Sequence, residues 1–242
     1  MTIVDRNKLK EFFQSGNYLT EKNFEILIDS FVHKNDSGFI CEEYGLKLFC
    51  QGQNKTLISF FENINDFNQK WSLEKNEKNN NFSLNLLNEK KESILFISQD
   101  KKIGINTQDP KSNLDINGSL SSKSRIGSYC CGKVPADGNW YKIIKNLNNC
   151  HVFEIVAKTS KTGKGLHSIV HAIALSSFGD SKNKIKKINA SYGGFLNKID
   201  FRWQGSTFDY NLQIRSRINY GEDYFINYHV TSLWDESFFE KI

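Results

Sequence analysis

Residues 5–34 place their apolar side chains at helical intervals. Within Asp5–Gln14, Leu9, Phe12 and Phe13 recur on one side, and Asp5 stands where an N-cap belongs. Ser15-Gly16-Asn17 breaks the pattern. Thr20 then caps a second helix with Glu21 in its first turn. Phe24, Leu27, Ile28 and Phe31 follow at i, i+3, i+4 and i+7, and Asn35-Asp36-Ser37-Gly38 ends the segment. Helices this short cannot bury their stripes alone. The pattern therefore predicts a small module, residues 1–38, whose stripe Phe24, Leu27, Ile28, Phe31 docks on a partner or on other copies of the chain.

From Trp71 onward the period changes from helical to two. Lys55–Trp71 fits either a short helix or strands. Trp71-Ser72-Leu73 is strand-like, and Glu74–Asn81 reads as a polar hairpin tip. Phe82, Leu84 and Leu86 alternate with polar residues, Asn88–Glu92 is a turn, Ser93–Ser98 a buried strand and Gln99–Lys102 another turn. Short strands are expected at Lys102–Asn106 and Leu114–Ile116. Beyond residue 126 the strand-like runs are Val152–Ala157, Ser168–Leu175, Lys198–Trp203, Tyr210–Arg217 and Tyr224–Leu233. This spacing, with no convincing helix, predicts a mainly β protein: a helical attachment module (1–38), a β-rich intertwined shaft (39–125) and a β-sandwich, jelly-roll-like head (126–242).

The most informative stretch is ILFISQDKKIGINTQDPKSNLDINGSL, residues 94–120. It resembles a segment of phage tail fibres and bacterial trimeric adhesins: an apolar strand, a turn, "(V/I)GIGT", a proline, then "LDVNG". Ile103-Gly104-Ile105-Asn106-Thr107, Pro110 and Leu114-Asp115-Ile116-Asn117-Gly118 carry the likeness. Asn106 stands where glycine is usual, and Lys101-Lys102 where a Gly-Asn turn is common. Gly104 permits close backbone approach. Pro110 ends the ladder. The resemblance implies a homotrimer, with Ile94, Phe96, Ile103, Ile105, Leu114 and Ile116 facing a three-fold axis. A second, weaker resemblance covers the first helices. Phe13-Gln14-Ser15-Gly16, Thr20, Phe24 and Leu27-Ile28-Asp29-Ser30-Phe31 are similar to the amino-terminal segment of fibre-like proteins of phages and contractile injection systems, with Leu19 in place of the usual proline. It implies attachment to a baseplate or tail protein.

Composition agrees with an extended or assembled chain. Only 38% of the 242 residues are hydrophobic, and mean hydropathy is −0.51. Residues 1–125 carry 17 Lys+Arg against 17 Asp+Glu, whereas 126–242 carry 15 against 10, so the net charge of +5 belongs to the C-terminal part. A positive field there favours anionic partners such as acidic glycans, teichoic acid or lipopolysaccharide. Nucleic acid is not expected, because the one dense basic run, Lys182–Lys187, has no accompanying motif. The five cysteines, Cys41, Cys50, Cys130, Cys131 and Cys150, have neither metal spacing nor an even count, so free thiols are expected. The start, MTIVDRNKLKEFF, lacks a signal-peptide core, and no apolar run of about 18 residues exists. Synthesis in a cytoplasm, work outside the cell or in a virion-like particle, and no membrane insertion follow.

Catalytic motifs are lacking: there is no nucleophile elbow, P-loop or dinucleotide fingerprint. His167 and His171 would hold a metal on a helix but not on the strand that surrounds them. Asp200, Asp209, Glu222 and Asp223 offer carboxylates for glycoside cleavage, without a domain of the usual size. No cofactor is expected. A binding face is: Arg202, Trp203, Tyr210, Arg215, Arg217 and Tyr220 combine guanidinium forks with aromatic rings, the chemistry that takes sugars and their acidic groups. The expected role is a receptor-binding fibre or adhesin subunit, not an enzyme, that engages a cell-surface glycan through its head. The alternatives are a free-standing lectin-like adhesin or a carbohydrate-active hydrolase.

Overall fold

A computed structural model describes residues 4–31, 39–42, 45–50, 53–63, 65–78 and 81–239, without the side chains of 39–42, 77, 78 and 81. The chain is mainly β and divides into two compact units, Met1–Leu120 and Ser121–Ile242. Among the described residues no helix is long and apolar enough to cross a membrane.

The first unit opens with α1 (Arg6–Phe12) and α2 (Glu21–Asp29). Their caps are those the sequence offers. Asp5 Oδ1 accepts from Lys8 N at 2.8 Å, and Thr20 forms a capping box with Asn23. Phe13 meets Phe24 edge-on at 6.0 Å. Phe24, Ile28 and Phe31 are nevertheless exposed, and Leu27 is half-buried. The expected stop at 35–38 lies outside the described residues. A hairpin follows, β1 (Phe39–Glu42) with β2 (Gly45–Leu48).

Six strands then form one sheet in chain order: β3 (Thr56–Phe60), β4 (Trp71–Lys78), β5 (Asn81–Asn88), β6 (Ser93–Ser98), β7 (Ile103–Ile105) and β8 (Leu114–Ile116). The ambiguous stretch after Lys55 thus begins as strand. The polar run Glu74–Lys78, expected as a hairpin tip, continues strand β4 and pairs with β5. Cross-strand partners offset the poor β propensity of its Lys, Asn and Glu residues. All of these strands pair within the one chain. β7 and β8 are parallel, joined across a buried Pro110. A Cβ on Gly104 would collide with the Thr107 carbonyl, which makes glycine necessary there.

Register divides the expected axis set between the two faces of the sheet. Ile103 pairs with Ile97 and Leu114, and Ile105 with Leu95 and Ile116, so these six share a face with Leu73, Leu84 and Leu86. Phe96 pairs with Gly104 and Asn85, which puts it on the opposite face, and Ile94 sits at a register break. Ile94 and Phe96 therefore do not line up with Ile103, Ile105, Leu114 and Ile116. The opposite face holds the buried residues Ser72, Ser83, Asn85, Leu87 and Phe96. On the apolar face Ile97, Ile103 and Leu114 remain 41%, 39% and 53% exposed.

The second unit is a β-sandwich. Its strands are β9 (Cys130–Pro135), β10 (Tyr141–Leu147), β11 (Cys150–Lys161), β12 (Leu166–Ser177), β13 (Lys184–Tyr192), β14 (Ile199–Gly205), β15 (Tyr210–Ser216) and β16 (Phe225–Ser232), followed by the short α3 (Glu236–Phe239). One sheet runs β13-β12-β11-β16-β9 and the other β10-β15-β14. Both contribute to one core. Phe153, Ile155, Val170, Ala172, Ala174, Ile226 and Val230 come from the larger sheet, and Ile143, Ile144, Ile199, Tyr210, Leu212 and Ile214 from the smaller. Burial alternates strictly along β12 from Ser168 to Ser177, the mark of a strand with one face in a core.

Candidate functional site

Alternation fixes what the smaller sheet presents outward. On β14, Asp200, Arg202 and Gln204 alternate with the core residues Ile199, Phe201 and Trp203. On β15, Asn211, Gln213 and Arg215 alternate with Tyr210, Leu212 and Ile214. Register sets Asp200 opposite Arg215 and Arg202 opposite Gln213. One face thus gathers six polar side chains.

Trp140, just before β10, organises this face. The guanidinium carbons of Arg202 and Arg215 lie 4.3 and 4.5 Å from its ring centre. Such cation–π contacts stabilise by about 0.5–2 kcal/mol each and fix the plane of the guanidinium. Arg202 Nε donates to Gln213 Oε1 at 2.8 Å, and Gln213 Nε2 donates to Asn211 Oδ1 at 3.1 Å. Among the described residues, Arg202 Nη atoms donate no hydrogen bond.

Asp200 is the counter-ion. Arg217 donates to its carboxylate at 2.7 and 3.3 Å, Lys187 reaches it from β13, and Arg215 Nη2 approaches to 3.7 Å. Burial alone would raise the Asp200 carboxyl, but hydrogen bonds and charge from Arg217 and Lys187 outweigh it and hold the group below the ordinary carboxylate value. Three cations, Lys187, Arg215 and Arg217, therefore meet one carboxylate, and Arg202 stands two residues further along β14. The surplus positive charge, on planar groups fixed by stacking, suits a carboxylate, sulfate or phosphate.

Three of the six expected binding residues, Arg202, Arg215 and Arg217, meet on this face. Trp203, Tyr210 and Tyr220 do not join them. Trp203 packs inward against Phe153 and Tyr210, with centroids 6.3 and 5.6 Å apart, because it occupies the strand position of opposite parity to Arg202. Tyr210 is buried and donates its hydroxyl to Asn149 O at 2.6 Å. Tyr220 is buried against Asn197, and burial pushes its phenol up to about 12. Trp140 was not among the expected residues. The signal available for it is a lone tryptophan in the polar turn Asp137-Gly138-Asn139, where an aromatic ring has no local reason to be.

The other candidates separate. His167 Nδ1 meets Ser160 Oγ at 2.6 Å and His171 Nε2 meets Glu154 Oε1 at 3.0 Å, so each histidine has its own partner. Among the described residues no cluster of three His, Cys, Asp or Glu side chains could hold a metal. Asp209 precedes β15, whereas Glu222 and Asp223 follow it. Neither a protein-family profile nor a curated protein sequence matches the chain.

Proposed function

We propose that the chain is a homotrimeric fibre-type subunit of a phage-like or contractile injection particle that binds an acidic cell-surface glycan through its C-terminal unit. The apolar face of the six-stranded sheet carries this reading. Leu73, Leu84, Leu86, Leu95, Ile97, Ile103, Ile105, Leu114 and Ile116 lie on one side of the sheet, and polar residues fill much of the other. A single chain in water would do the reverse. The opposite face buries Ser72, Ser83 and Asn85 while Ile97, Ile103 and Leu114 stay 39–53% exposed. Exposed apolar surface of this extent is where a protein meets a partner, and closed cyclic symmetry satisfies it with identical copies. The likeness of residues 94–120 to fibre segments adds the expected number, three.

The cationic face around Trp140 supplies the receptor contact, and the α2 stripe Phe24, Leu27, Ile28, Phe31, exposed except at Leu27, supplies the attachment to a baseplate or tail protein. Light scattering during size exclusion, followed by a glycan array, tests the proposal. A mass near three times 27.9 kDa and binding to acidic glycans are expected. A stable monomer at micromolar concentration refutes the fibre reading.

A further inference from the structure

The β12–β13 turn and the β14–β15 turn are tied together at one end of the sandwich. Gly179 N donates to Thr207 O at 2.9 Å, and within the β14–β15 turn Ser206 N donates to Asp209 O at 2.9 Å. Phe178 meets Phe208 edge-on at 5.9 Å. The tie demands particular residues. A Cβ on Gly179 would collide with the Ser206 carbonyl, and Gly205 holds φ +136°. Phe178 at φ 70° and Asp180 at φ 33° are left-handed, a costly conformation for a phenylalanine.

Between the turns lies a recess of about 390 Å³. Its lining includes Asp180, Ser181, Asn183 and Gln204, with the core residues Trp203 and Tyr210 behind them. Its size is in the range of small-ligand sites, yet its walls are largely polar. We propose that this recess is a binding subsite for a neutral hexopyranose. A sugar ring presents hydroxyls around its rim and C–H groups on its faces. One carboxylate, one hydroxyl and two amides line the recess and offer acceptors and donors for the hydroxyls. Asp180 has no cation partner among the described residues, so its charge disfavours the acidic groups that the arginines attract. The backbone tie pre-forms the recess, so little ordering entropy opposes binding. Gln204 follows Arg202 by two residues on the same face of β14, about 7 Å along the strand. A glycan with an acidic group on the arginines thus brings a neighbouring neutral sugar to the recess.

The inference rests on the glycan-binding reading above but not on the trimer. The test is saturation-transfer NMR on the full chain with methyl α- and β-pyranosides of glucose, galactose and mannose as probes. Wild type should receive saturation from at least one. Asp180→Gly, which keeps the positive φ accessible, should weaken that binding by about tenfold at unchanged Tm. Gln204→Ala should weaken it in the same way. The double variant Arg202→Ala/Arg215→Ala should keep glycoside binding while losing binding to heparin. Heparin binding absent from wild type would overturn the arginine reading and leave the recess standing. Failure of wild type to bind any of the six glycosides, retention within about twofold in Asp180→Gly, or loss of glycoside binding in the arginine variant would each overturn the subsite.

Discussion

Arg202 and Trp140 are stacked, guanidinium carbon to ring centre 4.3 Å, and Arg215 meets the same indole at 4.5 Å. One indole on the loop before β10 thereby orients two cations on two other strands. Trp140→Ala frees both side chains without removing a charge. Binding to an acidic polysaccharide should fall by about tenfold, as the two stacking contacts and the ordering they impose are lost. Arg202→Lys should fall similarly, since an ammonium lacks the planar fork. Affinity in wild type should drop as salt rises. Surface plasmon resonance across a salt series reads all three.

Asp200 links the binding face to stability. Its carboxyl lies below its ordinary value in the folded chain, so its stabilising effect is full above the unfolded value near pH 4 and is lost as pH falls through the lower folded value. Wild type should therefore lose Tm on acidification below about pH 4. Asp200→Asn should be less stable at pH 7 by about 2 kcal/mol, because Lys187 and Arg217 lose a charged partner. It should also show a shallower decline in the acid range. Parallel acid profiles of wild type and variant would remove Asp200 from the account.

The vicinal thiols should behave differently. Strand alternation turns Cys130 inward, where it donates to Ile143 O at 3.2 Å, and leaves Cys131 exposed. Burial pushes the Cys130 thiol up, with Tyr228 partly opposing. Cys50, Cys130, Cys131 and Cys150 are all free. Thiol titration at neutral pH should label Cys131 and Cys150 quickly and Cys130 slowly, since a raised thiol has less thiolate. Equal rates for the neighbours, or a native mass lower by two hydrogens, would contradict this.

The helical pair makes a separate prediction. Its caps are local, so the sequence alone specifies it, but its stripe has Phe24 and Phe31 exposed. Deleting residues 1–38 should leave the melting of the C-terminal unit unchanged, because its core draws on residues from Tyr129 onward. The same deletion should abolish incorporation into particles in a producing host. Normal incorporation would assign attachment elsewhere.

What the sequence disclosed follows the range of the interactions. Alternation in Ser168–Leu175 or Tyr210–Arg217 is written in neighbouring residues, and those strands are where expected. In sequence β13 looks like a basic run, because Lys184, Lys186 and Lys187 hide its period. Register sets Lys187 opposite the buried Ala172, and Asp200 on β14 supplies the partner for its charge. Likewise Arg202 and Trp203 are adjacent in sequence but lie on opposite faces, so grouping them by composition mixed a surface cation with a core ring. Trp140 was invisible because its partners, Arg202 and Arg215, become neighbours only when β10 and β14 flank β15. Parity and register, not residue type, separate the binding face from the core.

Register also sharpens the test of assembly. Ile105 lies on the apolar face between Leu95 and Ile116, whereas Phe96 lies on the other side. Ile105→Asp introduces a charge among side chains that three copies would bury together, at a cost of several kcal/mol unless water reaches it. In a monomer the same site is only half-buried, so the charge would be tolerated within about 1–2 kcal/mol. The two cases diverge in mass and not merely in stability. Size exclusion with light scattering should show a wild-type trimer and an Ile105→Asp monomer whose C-terminal unit still melts cooperatively. Leu114→Asp, at the more exposed end of the face, should act in the same direction. Phe96→Leu, on the opposite face, should lower Tm by a cavity effect of about 1 kcal/mol and leave the trimer intact. A trimer that survives both aspartates would show that this face is not where the copies meet.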